Sequence, residues 1–366
     1  MRFLSALSFV ITGSGLIAAG IVFIVLAGCD TPSTVFKDDL HVLGTSAEIV
    51  IVGLPSKEAS KAARAVEKDL EKLDHIGYTF GSAGELHKLN EAISRSETLT
   101  VSAELKDLIE EGGRLYTASN GLFNPAAGEL TALWEYECPQ IECTESHYSV
   151  EILAMIHREV EDVVLKQQPS MDDLSVDGND VTSRKPLVKL EFGDMIRGFA
   201  LDQGIAHLKE MGVENAMIVL GNGVRTIGTR GNKPWWIGFL GDGEHMGEHV
   251  IGTIEPNGDE AVVTVHAFDK SIGKKGSVYR HVVDPRSGFP VWETDSVTVI
   301  HESATTANAA ATALLVNGRD EWPSIADKMG VHSIMMITRT AMIYTSSKME
   351  ERIHRKQDRM HLHLMP

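Results

Sequence analysis

From His41 to Val52 apolar and polar residues alternate with the period of a half-buried strand, and from Ser56 to Leu73 alanine, leucine and charge recur at helical spacing. A second helix is predicted over Ser102–Ser119, with Ser102 as its N-cap, Glu104 in the favourable first turn and Gly121 stopping it. Beyond it the pattern predicts a helix at 150–160, a strand at Val163–Lys166, a polar surface loop at Asp172–Ser183, a strand at Leu187–Phe192 and a helix over Met195–Met211. From Asn215 onward strands dominate, at 216–220, 235–240, 249–254, 261–266, 278–284 and 296–300. A buried helix at Thr305–Val316 and a strand pair near 332–345 complete the body. Helices and strands mix without a regular βαβ alternation, so the expected fold class is α+β, one body with antiparallel-rich sheets and packed helices.

The ends read differently. Residues 1–28 carry one charge, Arg2, and a long apolar run that leads into Leu26-Ala27-Gly28-Cys29. This resembles a bacterial lipoprotein signal, with Cys29 left to carry lipid, residues 29–40 as a tether and Asp30 as an inner-membrane retention signal. An uncleaved anchor is the other reading, because the run is nearly long enough to span a bilayer. Either way the body, 41–345, is expected outside the cytoplasm beside a membrane, and the lipoprotein reading puts it on the periplasmic face of the inner membrane. The charged stretch 346–366, with His354, His361 and His363, reads as a solvated, frayed tail.

Composition narrows the function. The 366 residues are 43% hydrophobic, enough for a large core. The formal net charge of −17 becomes −18 without Arg2, which argues against nucleic-acid binding and against a basic membrane-docking face. Cys138 and Cys143 lie close together around Pro139. In an oxidising compartment they read as a local disulfide clip, with two thiols or half a metal site as alternatives.

Candidate chemistry concentrates in His281-Val-Val-Asp284-Pro285-Arg286-Ser287-Gly288-Phe289-Pro290. Two proton-handling side chains stand three residues apart, ahead of a turn stiffened by two prolines and a glycine. Alone, the segment reads equally well as an ordinary Asp-Pro turn. Four more segments accompany it: Leu43-Gly44-Thr45; Tyr78 to Asn90, with Glu85; Ser119 to Trp134; and Leu190 to Asp202, with Glu191, Asp194 and Arg197. A sixth block is Ala307-Asn308-Ala-Ala-Ala-Thr312-Ala-Leu314.

In order and spacing these blocks resemble the ApbE family of FAD:protein FMN transferases over about residues 40–345. The resemblance implies that FAD and a divalent cation, usually Mg2+, are bound, and that FMN is joined by a phosphoester to a threonine of an acceptor, here a membrane redox protein. It places His281 and Asp284 in the active centre, with Asp284 as base toward the acceptor and His281 beside the phosphates. It assigns flavin contacts to Leu43, Thr45, Tyr78, Glu85, Glu191 and Arg197. The family's helix carries an Asp and a Thr four residues apart facing the metal, and this chain has Asn308 and Thr312 there. Asp194 aligns with a residue whose backbone carbonyl contacts the metal, so its side chain either restores the missing carboxylate or points to solvent. Further departures are Arg197 for lysine, Glu191 for aspartate, Gly221-Asn222 for a Gly-Gly pair and His266-Ala267 for Ser-Gly. They leave open a flavin carrier or assembly factor without transfer chemistry, and a metal-dependent FAD pyrophosphatase.

Overall fold

The computed structural model describes residues 34–77, 84–137, 157–240, 250–269, 279–319, 321–355 and 362–365. Among them, nine strands form one sheet: β1 (Val35–Val42), β2 (Thr45–Val52), β3 (Ala216–Leu220), β4 (Gly223–Ile227), β5 (Ala261–His266), β6 (Thr294–His301), β7 (Ser333–Thr338), β8 (Ile343–Thr345) and β9 (Leu362–Leu364). Each lies beside its predecessor, antiparallel except for the parallel β8 and β9 pair.

Both faces of the sheet are covered, which explains why its strands are apolar almost throughout. Ile49, Ile51, Ile218, Leu220, Val263, Val297 and Ile334 point to a helical layer. That layer comprises α1 (Ser56–Gly77), α2 (Glu85–Ser94), α3 (Ala103–Ala118), α5 (Met195–Glu210), α6 (Ala304–Asn317) and α7 (Trp322–Met329), while α4 (Gly128–Glu137) packs in a separate cluster with Val160 and Val163. The alternate residues Val50, Val52, Met217, Val219, Val262 and Met335 pack against a small sheet of Ile237–Leu240, Val250–Ile254 and Ile353–Arg355. The α+β class therefore holds.

Helix α6 is buried on nearly every side. Its alanines let α5 approach to backbone contact: a Cβ on Gly198 would lie 2.6 Å from the Ala304 carbonyl oxygen. Gly198→Ala is expected to force the two helices apart and cost about 1–3 kcal/mol, read as a lower denaturant midpoint. An unchanged midpoint would show that the crossing has slack.

Several expectations change. Val163–Lys166 belongs to a helical turn, Asp162–Gln167, supported by the i,i+4 pair of Lys166 with Asp162 and ended by Gln168 at φ 45. The polar loop is a hairpin, Leu174–Asp177 with Asp180–Ser183, turning at Gly178, and Val181 is buried beneath it. Leu187–Phe192 is not a regular strand: it makes one isolated parallel bridge, Lys189 with Ala127, and at Leu190 a side chain takes over, Asn90 donating to the Leu190 carbonyl at 2.9 Å and accepting its N–H at 2.7 Å. Of the described residues 279–284, Tyr279–Arg280 alone is strand. The stretch read as a tether contributes β1. The stretch read as a frayed tail contributes Ile353–Arg355, β9 and the buried Met365. Residues 1–28, Cys29, Tyr78, Cys138 and Cys143 lie outside the described residues.

Candidate functional site

Two clusters carry the predicted chemistry. The first begins at the hairpin between β1 and β2, whose two turn residues both have positive φ, Leu43 at 51° and Gly44 at 69°, as a two-residue hairpin twisted with its strands requires. Leucine is costly there. It is held by its buried side chain, and its N–H donates to Asp74 Oδ1 at 3.1 Å. Its carbonyl accepts from Arg197 Nε and Nη2, each at 3.3 Å.

Arg197 and Asp194 stand three residues apart at the start of α5, and the Arg197 Nη1 is paired with Asp194 Oδ1. The other carboxylate oxygen accepts from Asn222 Nδ2 at 3.0 Å. Asn222 also donates to the Thr264 carbonyl, and its own Oδ1 is buried with no hydrogen-bond partner. Gly221, at φ 57, keeps the turn thin: a Cβ there would lie 3.2 Å from Thr45 Cγ2 and 3.4 Å from Arg197 Cδ. Leu43, Thr45, Asp194 and Arg197, distant in sequence, are thus brought together. Asn222 joins them, and its signal in the sequence was the Gly221-Asn222 pair, noted above as a departure.

The second cluster is the turn after His281. The His281 N–H donates to the Ala267 carbonyl at 3.0 Å, and the chain folds back so that Asp284 N–H meets the Phe289 carbonyl at 2.9 Å. Gly288 N–H closes on the Asp284 carbonyl at 2.7 Å, with Gly288 at φ 77. The turn is anchored from below by Trp134, whose indole N–H donates to the Gly288 carbonyl at 2.8 Å, while its ring meets Phe289 edge-on at 5.7 Å. Trp134, at the end of the Gly121–Trp134 block, is therefore a brace for the turn. The expectation of a rigid backbone around Asp284 holds.

The Asp284 carboxylate is gripped by Arg286, through Nε to Oδ1 at 3.0 Å, Nη2 to Oδ2 at 2.9 Å and the backbone N–H to Oδ1 at 2.8 Å. Arg286 Nη2 also reaches the Val316 carbonyl at the end of α6, 3.4 Å away. The hydrogen bonds to Asp284 raise the guanidinium above its ordinary pKa, with burial opposing. Arg286 is a site residue that sequence reasoning passed over, although its place two residues after Asp284 was the available signal.

The remaining predicted residues are more dispersed. Glu85 opens α2, and its two carboxylate oxygens accept from the Ser102 N–H and hydroxyl at 2.6 Å each, tying α2 to the cap of α3. Glu191 follows the Asn90-clamped Leu190, and its N–H donates to the Pro125 carbonyl at 2.8 Å. Asn308 is 2% exposed on α6, and the Thr312 hydroxyl donates back to its carbonyl at 3.1 Å. Among the described residues no hydrogen bond joins Asp194 to Asn308 or Thr312, and no group of three or more His, Cys, Asp or Glu side chains is placed to hold a metal. By chemistry each of these offers oxygen, the Asp194 carboxylate and the partnerless Asn222 Oδ1 in the first cluster and the Asn308 amide and Thr312 hydroxyl on α6, which is the donor type a hard cation such as Mg2+ takes.

The N-terminus of α6 is held by a residue outside these predictions. Asp202 accepts from the Ser303 hydroxyl at 2.8 Å, Ala304 N–H at 2.8 Å, Thr305 N–H at 2.9 Å and the Thr305 hydroxyl at 2.7 Å. Arg225, itself buried, completes the group with Nε at 3.3 Å.

Comparison with known proteins gives these clusters a context. The model of the ApbE family matches residues 43–337. A FAD:protein FMN transferase of Rhodobacter capsulatus is 30% identical over 340 residues, which are 93% of this chain and 62% of that protein, so the chain spans about three-fifths of that relative's length. A FAD:protein FMN transferase of Vibrio cholerae is 24% identical over 86% of this chain and 91% of its own length. Among solved structures, the flavin transferase ApbE from Vibrio cholerae superposes with a TM-score of 0.71 at 23% identity, covering 88% of this chain and all of that one. The ApbE protein of Thermotoga maritima gives 0.71 at 25% identity, over 87% and 99%.

Proposed function

Because this chain belongs to the ApbE family, we propose that it is a FAD:protein FMN transferase, moving FMN from FAD to a threonine of a membrane redox acceptor and releasing AMP. The observation that carries the reading is the Asp284 carboxylate, fixed by Arg286 on a turn braced by Trp134. The acceptor hydroxyl gives its proton to Asp284 as its oxygen forms a bond to the FMN phosphorus. The bond from that phosphorus to the bridging oxygen breaks, and the oxygen leaves with AMP. Arg286 keeps the carboxylate aimed before the transfer. Arg197 supplies positive charge for the pyrophosphate, and His281 stands beside the phosphates. Leu43, Thr45, Tyr78, Glu85 and Glu191 complete the flavin contacts. Asp194, Asn308 and Thr312 would hold Mg2+, which when bound would supply charge neutralisation at the phosphates. Cys29 carries lipid and keeps the body at the periplasmic face of the inner membrane, which raises its effective concentration near membrane acceptors.

A specific observation favours a second reading, a flavin carrier without transfer chemistry: the Asp194 carboxylate is already engaged by Arg197 and Asn222. Incubation of the purified protein with FAD, Mg2+ and a candidate acceptor separates these readings. Transfer yields AMP and a covalently fluorescent acceptor, whereas AMP alone marks a pyrophosphatase. Bound, uncleaved FAD marks the carrier and overturns the transferase.

A further inference from the structure

We infer that the Asp194–Arg197 ion pair is a latch that couples cation binding to dinucleotide binding: a divalent cation that takes the Asp194 carboxylate releases the Arg197 guanidinium to the pyrophosphate. This rests on the reading of the cluster as the FAD and cation site, and extends it to how the two ligands depend on each other.

Three features support it. All three guanidinium nitrogens of Arg197 are committed in the closed arrangement, Nη1 to Asp194 and Nε and Nη2 to the Leu43 carbonyl. These bonds take three of the five N–H donors, and the Asp194 carboxylate on Nη1 repels a phosphate that approaches the two left over, so the fork serves a phosphate best when Asp194 lets go. Next, Asp194 has two tethers of different strength, a charged one from Arg197 on Oδ1 and a neutral one from Asn222 on Oδ2. A cation replaces the charged partner like for like, while Asn222 still holds the carboxylate in place. Finally, the closed cluster leaves Asn222 Oδ1 buried without a partner, an unmet acceptor two bonds from the nitrogen that holds Asp194. A hard cation beside Asp194 offers that oxygen the partner it lacks.

The exchange is local. Asp194 and Arg197 lie three residues apart, with about a quarter of each side chain exposed, so side-chain rotation suffices and α5 need not move. Without the cation, the pyrophosphate meets an uncompensated carboxylate once Arg197 turns toward it. With the cation, both positive groups face the phosphates. The coupling is therefore positive, and by linkage it is reciprocal, on the order of 5- to 150-fold.

Calorimetry on the full-length protein tests this, with FAD titrated in EDTA and in saturating Mg2+. In the wild type Mg2+ is expected to tighten FAD at least about fivefold, with FAD tightening Mg2+ by the same factor. Asp194→Asn is expected to bind FAD in EDTA more tightly than the wild type, because Arg197 is no longer held, and to lose the response to Mg2+. Asp69→Asn removes an equal charge from α1, where it faces His207 near the far end of α5 and contacts neither Leu43 nor Arg197, and should show neither change. Arg197→Met provides a second route, with tighter Mg2+ binding in the absence of FAD. A metal response that survives in Asp194→Asn, or a gain in Asp69→Asn as large as in Asp194→Asn, overturns the latch while leaving the FAD site standing. Wild-type protein that binds no FAD in either condition overturns the site reading and the latch together.

Discussion

Asp284→Asn is expected to slow FMN transfer by roughly 10²- to 10⁴-fold, the range for removing a positioned general base, while FAD binding changes little. Asparagine has the shape of aspartate and can still accept from Arg286 through one oxygen. It cannot take the acceptor's proton, and its amide N–H2 faces one of the guanidinium donors that Asp284 Oδ2 now receives. The backbone bonds that close the turn, from Asp284 N–H to Phe289 and from Gly288 N–H to Asp284, involve no side chain and should persist. Stability should therefore fall by only about 1 kcal/mol, the usual scale for one hydrogen bond. AMP release and covalent fluorescence of the acceptor are the readouts, with FAD affinity measured in parallel. A variant that retains more than a tenth of the wild-type rate would remove Asp284 from the role of base.

Asp202→Ala should be the most damaging single change to stability, about 3 kcal/mol. One carboxylate accepts from two hydroxyls and two backbone N–H groups at the head of α6 and also faces Arg225. Alanine leaves the first turn of a helix buried on nearly every side without its acceptor, and leaves Arg225 with Asp259, at 2.6 Å, as its remaining carboxylate. Because α6 carries Asn308 and Thr312, the same variant should also bind Mg2+ more weakly. Urea unfolding would show a lower midpoint at unchanged slope, and a loss below 1 kcal/mol would mean that Ser303 caps the helix unaided. Ser303 does accept from Thr306 N–H, so its contribution can be measured separately in Ser303→Ala.

What the sequence made legible was local. The Ser102 cap, with Leu105 N–H on its hydroxyl, is written within a few residues and is found as expected. His41–Val52, read as one half-buried strand, instead turns at Leu43-Gly44, and from Ile49 to Val52 it is buried on both faces, because each face of the sheet is covered. β4 was missed because the two-residue turn at Gly221-Asn222 barely interrupts an apolar run. Leu187–Phe192 looked like a strand because its residues are buried, yet the groups that satisfy its backbone come from Asn90 and Pro125. The site followed the same division. The ordered motifs pointed to the right segments, but Trp134 under Gly288 and Arg197 under Leu43, each pair 154 residues apart, are contacts that no spacing rule encodes. Arg286 was visible in the motif itself, and only the fork it makes on Asp284 revealed its part.

Strand β1 has a consequence for reach. Its far end is the Leu43–Gly44 turn of the flavin cluster, and its near end, Val35, lies six residues after Cys29. Eight strand residues span about 27 Å, and six residues of chain extend at most about 20 Å. If Cys29 carries lipid, as proposed, these lengths would keep the flavin turn within about 50 Å of the bilayer surface. An acceptor threonine would then have to lie within that height, and inserting residues between Cys29 and β1 would be expected to admit acceptors that stand taller.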